Sequence, residues 1–284
     1  MTDKDLCVIK TEHFTIEGRS RAGQETYFRV RELGIALDIG RGPDLIIGVP
    51  NVFVTHAHLD HAHGIPYYAG QRKMQDMAPG RVFVPAESAD DFRALMAIHE
   101  RLEGVEYDIE IVGVAAGETI RLSRTLEVRA HRATHRVAAR AYEFVDVRHR
   151  LKHEYAALGG EAIAELRSRG VEVAEPYRQS ILCYTGDTDR GILAENEAIF
   201  KSEVLMIECS FVAEGHQSRA AMYRHIHFDD LSEFAERFEN RLIVLTHFSR
   251  RYSRQQIQEL VRKRCPEVLR ERIRLALPEG YQRV

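Results

Sequence analysis

The chain has 284 residues, 44% of them hydrophobic and 29% charged, which excludes disorder as the default state and allows a core that needs no disulfides. The formal net charge of −3 excludes a protein that coats nucleic acid through bulk electrostatics, so any contact with nucleic acid must be local. The four cysteines form no CxxC pair, and neither a signal peptide nor a membrane-spanning stretch is evident. We therefore predict a cytoplasmic protein without membrane contact.

Short apolar runs punctuated by Gly and Pro alternate with helical segments in two successive rounds along the chain. The predicted elements are, in chain order, strands within 6–55, a helix at 62–76, a strand at 81–85, a helix at 87–102, strands at 109–112, 118–130 and 140–147, a polar helical stretch at 151–169, strands at 181–186 and 204–210, a helix at 228–239, a strand at 242–247 and a helix at 255–264. This order predicts an α/β fold with two packed sheets covered by helices, a four-layer αββα sandwich. No low-complexity linker divides the chain, so we predict a single domain over residues 1–284.

The segment at 148–173, RHRLKHEYAALGGEAIAELRSRGVEV, differs from its surroundings because it is polar, helical in bias and poor in core residues. We predict that it forms a polar helical protrusion. A solvated connector helix is the alternative that composition alone leaves open.

The strongest chemical signal is VTHAHLDHAHG at 54–64, where four potential metal ligands lie within six positions after a β-rich run. Zinc and related divalent metals accept imidazole nitrogen and carboxylate oxygen, and a strand-to-helix loop can present several such groups to one point. Packing does not explain a cluster of this kind, so the sequence predicts a metal site. The predicted ligands in this loop are His56, His58, Asp60 and His61.

Four ligands from one loop cannot all reach a single ion and leave a position open for water, so we predict two divalent metal ions. The remaining ligands must come from other segments. Three later strand-like runs each end in a suitable side chain, and loops at strand ends are where functional groups commonly converge. These side chains are His135 in RATHRV, Asp187 in CYTGDTD and His247 in IVLTHFS.

The order HxHxDH, then His, then Asp, then His resembles the pattern of the metallo-β-lactamase superfamily, and the resemblance runs from end to end of the chain. It implies two metal sites that share one bridging ligand. The implied ligands are His56, His58 and His135 for the first metal, Asp60, His61 and His247 for the second, and Asp187 between them. Zinc is the expected metal, although the same ligands accept manganese or iron.

Within the superfamily the chain most resembles ribonuclease Z, the endonuclease that removes the 3′ trailer of precursor tRNA, in its short plant-like form. The resemblance rests on LDIGRGP, TGDT, IECSF, HIHFDDL and THFSRRY in addition to the metal motif. It implies a metal-dependent endoribonuclease in which two ions activate a water molecule. It also implies that Glu208 and His225 supply a proton to the leaving alcohol and that Asp60 helps to orient or deprotonate the water.

The resemblance assigns the segment at 148–173 to an exosite that grips tRNA, a contact that needs local Lys and Arg groups. Arg148, Arg150 and Lys152 are the predicted contacts there. Tyr142, at the position of a Gly-Tyr pair in the family, is a predicted contact with the substrate end. Enzymes of this family and length commonly pair so that the exosite of one subunit serves the active site of the other, which implies a homodimer. The expected partner is precursor tRNA or another RNA, not DNA.

Other functions remain open on the metal ligands alone. These are a phosphodiesterase for other RNA or for small or cyclic nucleotides, a lactone or thioester hydrolase, and a homologue without metal or activity. The segment GRSRAGQETYF lacks a clear counterpart of the loop with which bacterial ribonuclease Z reads the CCA end, and Ile207 stands where that family often has His. Glu208, His225 and the segment at 148–173 favour the ribonuclease.

Overall fold

The computed structural model describes residues 6–280, and the first half of this range forms a seven-stranded sheet. Strands β1 to β4 pair in antiparallel order, and β4 to β7 continue the same sheet in parallel order. The strands are β1 Cys7–Lys10, β2 Thr15–Arg21, β3 Glu25–Val30, β4 Ile35–Leu37, β5 Asn51–Phe53, β6 Gly80–Pro85 and β7 Ile109–Val114. All parallel strands of one sheet end at the same edge, so the loops that follow β4, β5 and β6 lie side by side.

The second half builds another seven-stranded sheet with the same sequence of pairings, in the order β14-β13-β12-β11-β10-β9-β8. Strands β8 to β11 are antiparallel, whereas β11 to β14 are parallel. The strands are β8 Thr119–Arg121, β9 Leu126–Ala133, β10 Ala139–Leu151, β11 Ala174–Tyr184, β12 Val204–Glu208, β13 Leu242–Thr246 and β14 Ile273–Leu275.

Eleven α-helices lie within residues 6–280, and most of them are short connections between strands. They are α1 Asp44–Ile47, α2 Leu59–Ala62, α3 Ile65–Met74, α4 Ala89–Glu103, α5 Gly160–Ser168, α6 Gly191–Glu195, α7 Ala198–Lys201, α8 Gln217–Tyr223, α9 Phe228–Glu233, α10 Arg254–Arg264 and α11 Glu267–Arg270. In this described range every helix is too short or too polar to cross a lipid bilayer.

Three apolar clusters separate four layers. The central cluster lies between the two sheets, where the Phe53 ring of β5 stacks on Phe83 at 4.4 Å and meets Phe144 of the other sheet edge-on at 5.2 Å. A second cluster packs α1, α3 and α4 against the first sheet, and a third packs α9 and α10 against the second. Aromatic pairs at such distances stabilise the contact beyond the burial of their area. The predicted four-layer αββα sandwich is confirmed.

The predicted strand at 118–130 is wrong in one respect, because it is a hairpin of β8 and β9. The two strands pair at Arg121↔Glu127, and a tight turn at Ser123–Thr125 reverses the chain between them. The apolar residues Ile120, Leu126 and Val128 face the same central cluster, so their pattern runs through the turn without a break. Periodicity alone therefore did not reveal the reversal.

The β10–β11 hairpin extends beyond the sheet as an arm, which we define as residues 148–177. Its strands stay paired from Arg148↔Tyr177 to Leu151↔Ala174, and α5 lies at its tip. Within the arm, which the structure describes completely, only Val173 is buried. β10 starts next to the loop at His135 and spans twelve residue steps of about 3.3 Å each. The arm begins at the opposite end of β10, far from this loop.

Candidate metal centre

The HxHxDH residues follow β5 at the edge where the parallel strands of the first sheet end. His56 joins the second sheet through a β-bridge to Ala139, and His58 directly precedes α2, which carries Asp60 and His61. Successive residues in this loop and in the first turn of the helix point in different directions, so one short segment supplies ligands on two sides. This arrangement explains how the four side chains serve two clusters.

Three imidazole nitrogens converge in the first cluster. His58 Nδ1 lies 3.0 Å from His56 Nε2 and 3.2 Å from His135 Nε2. Ligand nitrogens about 2.05 Å from a tetrahedral zinc ion are separated by about 3.3 Å, so these separations fit a shared ion. Burial lowers the pKa of all three rings, which favours the neutral form that donates a lone pair to a metal.

A second cluster of three ligand atoms lies beside the first. His61 Nε2 is 3.3 Å from His247 Nε2, and Asp60 Oδ2 is 3.6 Å and 3.5 Å from these two nitrogens. Asp60 Oδ2 also accepts a hydrogen bond of 2.7 Å from the backbone N–H of Gly23 in the β2–β3 turn. That turn therefore holds the one carboxylate of the cluster in place.

Asp187 lies between the clusters and faces both of them. Its Oδ2 is 3.7 Å from His56 Nε2 and 3.9 Å from His135 Nε2, whereas its Oδ1 is 3.4 Å from His61 Nε2 and 3.3 Å from His247 Nε2. This geometry suits a ligand that bridges two ions.

The surroundings of the Asp187 carboxylate test whether metal ions fit the site. Asp187 is 2% exposed, and its Oδ1 has no hydrogen-bond partner among the described residues. Burial raises the pKa of this carboxyl, but His247 and His61 lower the pKa by more than burial raises it. The carboxyl therefore stays ionised. A buried anionic oxygen without a donor is costly, and a divalent cation between the two groups of nitrogens would satisfy it. The residues therefore fit two divalent ions.

Asp38 is a residue of the centre to which the sequence reasoning assigned no role. Its Oδ2 accepts the Nδ1–H of His61 at 2.7 Å, and Oδ1 accepts the backbone N–H of Thr55 at 2.7 Å. The hydroxyl of Tyr184 donates to the same Oδ2 at 2.7 Å. Because a carboxylate only accepts, Asp38 keeps the proton of His61 on Nδ1 and leaves Nε2 free for a metal. Its position directly after β4, in LDIGRGP, was the available signal.

Three of the other four candidate histidine ligands are oriented in the same way by their second nitrogen. Nδ1 of His56 lies 3.0 Å from Thr55 Oγ1, and Nδ1 of His135 donates to the carbonyl of Arg224 at 3.0 Å. Nδ1 of His247 lies 3.0 Å from Ser210 Oγ, which itself donates to Glu208 at 2.7 Å. Such partners fix the ring orientation and the tautomer.

Glu208 and His225 form a hydrogen-bonded pair beside the candidate metal ligands. His225 Nδ1 is 2.7 Å from Glu208 Oε1, which also accepts the backbone N–H of Thr188 at 2.8 Å. The His225 ring lies between those of His135 and His247, with centroids 5.2 Å and 5.3 Å away. Burial lowers the pKa of His225, but the Glu208 carboxylate raises it more, and the balance is a pKa of about 9. This geometry fits the predicted role of His225 as a proton donor.

The four predicted substrate contacts do not lie in the metal centre. Arg148, Arg150 and Lys152 belong to the arm, where Arg150 pairs with Glu175 at 2.7 Å. The prediction for Tyr142 is wrong, because its side chain is fully buried and its hydroxyl donates to the carbonyl of Val54 at 3.0 Å. Side chains along β10 alternate between the two faces of the sheet, and that of Tyr142 lies on the face between the sheets. A substrate cannot contact it there.

The chain is similar to known proteins over most of its length. The β-lactamase superfamily domain matches residues 43–248. The tRNase Z TRZ1 of Arabidopsis thaliana is 33% identical over 276 residues, which cover 96% of this chain and 98% of that protein. The chloroplastic tRNase Z TRZ2 of the same plant is also 33% identical, over 96% of this chain and 78% of that protein.

A solved structure shows the same fold at lower sequence identity. The short form of human tRNase Z superposes with a TM-score of 0.55 and 16% identity, over 95% of this chain and 90% of that one. The superfamily domain covers most of the chain, and the plant relatives match it nearly from end to end. The chain therefore belongs to the tRNase Z family of the metallo-β-lactamase superfamily.

Proposed function

We propose that this protein is a metal-dependent endoribonuclease that removes the 3′ trailer of precursor tRNA. The observation that carries the proposal is the position of Asp187 between two clusters of ligands, with the Glu208–His225 pair beside them. Divalent ions at such a site supply Lewis-acid activation of water and of the phosphate. Family membership supplies the substrate class, since the relatives are named for tRNA cleavage.

The chain's own residues divide the remaining chemistry between them. A tRNA that is to be extended after trimming must end in a 3′ hydroxyl, so the leaving oxygen is the 3′ oxygen of the last retained nucleotide. His225 protonates this oxygen, and Glu208 orients the ring and stabilises its charged form. Asp60, held by Gly23, is placed to orient the attacking water or to accept its proton.

Zinc is the metal we propose for both sites. The five histidine nitrogens and two carboxylates match the borderline-soft preference of zinc, and the separations in the first cluster fit tetrahedral coordination. Metal analysis of protein purified without added metal tests this assignment. Two equivalents of zinc support the assignment. Two equivalents of manganese or iron would assign that metal to the sites instead of zinc.

We propose that the arm is an exosite for tRNA and that it serves the active site of a second subunit. The start of β10 lies at the metal centre and its end lies about 40 Å away along the strand, so the arm points away from its own site. Arg148 and Arg150 are 69% and 63% exposed there, and the Arg150 guanidinium lies 5.3 Å above the Tyr177 ring. Cationic and aromatic groups of this kind contact RNA phosphates and bases.

The homodimer that this arrangement requires has a candidate surface. A groove of about 950 Å³ lies between α3 and α4, and apolar side chains with unusually high exposure border it. Leu59 is 73% exposed, Tyr67 50% and Leu95 37%. Exposed apolar patches on a folded domain mark interaction sites. Sedimentation at micromolar concentration should give a dimer, and Leu59→Asp should give a monomer. A monomer in the unmodified protein would contradict the proposal.

Deletion of the arm tip separates its role from that of the metal centre. Leu151 and Ala174 are paired across the hairpin, so an Asn-Gly turn can replace residues 152–173. We expect this variant to hydrolyse bis-p-nitrophenyl phosphate and to show a raised KM for precursor tRNA. An unchanged KM would remove the arm from tRNA binding.

The decisive test of function compares two substrates. Metal-loaded protein is incubated with a 3′-extended precursor tRNA and, separately, with bis-p-nitrophenyl phosphate. Cleavage directly after the discriminator nucleotide supports the proposal. Hydrolysis of the small diester alone would assign the centre to another phosphodiester, such as a small or cyclic nucleotide.

We also propose a cytoplasmic location. All four cysteines are buried free thiols, as expected in a reducing compartment. Fractionation of the source cells with an antibody against the protein tests this, and recovery in an organelle or a secreted fraction would contradict it.

A further inference from the structure

A second groove opens beside the metal centre, next to His135. It has a volume of about 460 Å³, which lies within the range of about 300–1,000 Å³ found for ligand sites. The metal ligand His135 lines it, together with Arg132 at the end of β9, Arg140 at the start of β10, and Arg224 immediately before His225. The groove therefore borders the metal centre at His135 and is lined by three arginines and the Glu87 carboxylate.

Two of these arginines carry charges that no other described residue neutralises. Arg140 donates to Glu87 at 2.5 Å and to two backbone carbonyls, so its charge is compensated. Arg132 is its direct neighbour across β9 and β10, yet within residues 6–280 the Arg132 side chain forms neither an ion pair nor a hydrogen bond. The same holds for the Arg224 side chain. Like charges opposite each other on a sheet are unfavourable, and a bound anion would relieve them.

The backbone at Arg224 adopts an unusual conformation for an arginine. Arg224 ends α8 with a φ of +56°, in the left-handed region where glycine is the usual residue. An arginine there costs about 1 kcal/mol relative to glycine. This conformation places an unpaired guanidinium at the rim of the groove, one residue from the proton donor.

The wall of the groove is fixed to the metal centre by two links between the β9–β10 loop and the end of α8. His135 Nδ1 donates to the carbonyl of Arg224 at 3.0 Å, and Arg136 donates to the carbonyl of Met222 at 3.2 Å. The Arg136 guanidinium also lies 5.1 Å above the ring of Tyr223. Arg224 therefore keeps a defined position relative to a metal ligand.

We propose that Arg132 and Arg224 bind the phosphate on the 5′ side of the last retained nucleotide of the RNA. This inference rests on the proposed function. His225 protonates the 3′ oxygen of that nucleotide, so its ribose must lie beside His225 and its own 5′ phosphate lies one nucleotide farther from the metals. The groove, which Arg224 lines one residue before His225, offers such an anion two guanidiniums without a partner among residues 6–280. The two arginines thus fix which phosphodiester reaches the metal centre.

The test begins with Arg132→Gln and Arg224→Gln, which remove the charge and keep most of the side-chain length. Arg262→Gln on α10 is the matched control, because Arg262 is also exposed and lies in an outer layer. We expect each groove variant to lower kcat/KM for precursor tRNA, relative to that for bis-p-nitrophenyl phosphate, by about 10-fold or more, the loss of one charge-assisted hydrogen bond. The control should change this ratio by less than about twofold. Equal ratios in all three variants would overturn the inference.

A second measurement identifies the phosphate. Precursor tRNAs carry a neutral methylphosphonate either on the 5′ side of the last retained nucleotide or after the first trailer nucleotide, and a 2′-O-methyl group on each preceding ribose prevents self-cleavage. The first substitution should slow the unmodified enzyme about 10-fold and should cancel the effect of Arg224→Gln, because both remove the same contact. Coupling to the trailer phosphate instead, or to neither phosphate, would overturn the inference.

The two proposals fail differently in these experiments. Failure of the unmodified protein to cleave any precursor tRNA would overturn the proposed function and this inference with it. Normal cleavage without coupling between Arg224→Gln and the methylphosphonate would overturn only the inference. Thermal unfolding of each variant confirms that the groove variants are folded at the assay temperature.

Discussion

Replacement of Asp38 by Asn is the sharpest test of how the second cluster works, because it changes one oxygen to an NH2 group without changing shape. Asp38 is fully buried and accepts hydrogen bonds from His61, Thr55 and Tyr184. If the new amide nitrogen faces His61, it donates to Nδ1 and moves the ring proton to Nε2, the atom that should bind metal. If it faces Thr55 instead, two N–H donors meet in the interior.

The magnitude follows from these two outcomes. Loss of a hydrogen-bond partner that orients a metal-binding histidine costs about 10–100-fold in metal affinity, or about 1.4–2.8 kcal/mol. The donor conflict should lower the unfolding free energy of the metal-free protein by about 1–3 kcal/mol. We expect one ion to be retained by the first cluster and the other to bind 10–100-fold more weakly. Hydrolysis should recover in part at high free metal.

The assay is a metal titration at buffered free zinc, read by equilibrium dialysis and paired with urea unfolding of the metal-free protein. Asp44→Asn is the matched control, since Asp44 is exposed on α1 and the exchange of side chains is the same. Unchanged affinity and unchanged unfolding free energy in Asp38→Asn would refute the role of Asp38. An equal loss at both metal sites would show that it does not act through His61.

Three further experiments probe the centre and the packing around the cysteines. Asp187→Ala should abolish hydrolysis and release metal. His225→Ala should keep the metal content and lower the rate by about 10²-fold or more, as for a general acid. Equal metal loss in both variants would contradict these separate roles. Ser210→Ala should weaken metal binding about 10-fold because His247 loses its partner, and an unchanged titration would show that backbone geometry alone orients the ring. Burial raises the pKa of Cys7 to about 11 and also raises the pKa of Cys183 and Cys209, so these groups stay as thiols. The native protein should therefore resist iodoacetamide at pH 8 and react fully in guanidinium. Rapid labelling of the native protein would contradict the packing.

The fold was largely predictable because strands and helices repeat in the order that the sandwich requires. The short elements were not predicted, since β14 has three residues and α7 and α11 have four each, too few for a periodic pattern to repeat. Their apolar residues do face the core, but a single buried side chain such as Leu269 carries no periodic signal. Packing against the neighbouring strand determines such elements, and that neighbour is distant in sequence.

The candidate ligands were conspicuous in the sequence, whereas the residues that hydrogen-bond to them were not. Histidine is uncommon enough that HxHxDH is conspicuous, and each later ligand follows an apolar run that ends at one sheet edge. Asp38 and Ser210 are ordinary residues at strand ends, and nothing local distinguishes a carboxylate that supports a ligand from one that caps a turn. Tyr142 was assigned to the substrate by its position in a motif, whereas the period of two along β10 turns it into the core.

The repeated pairing order of the two sheets explains why the centre lies where it does. In each half the sheet changes from antiparallel to parallel at one strand, β4 in the first half and β11 in the second, and an aspartate follows each: Asp38 and Asp187. Parallel strands end at a common edge, so each half gathers polar groups at one edge but supplies an incomplete set. The first half provides two ligands to each cluster, and the second half completes them with His135 and His247.

The two halves also meet directly, since the backbone N–H of Arg140 donates to the carbonyl of Thr55 at 2.9 Å. The metal centre therefore depends on the packing of the two sheets, and a bound ion in turn stabilises that packing because it binds only when both halves are folded together.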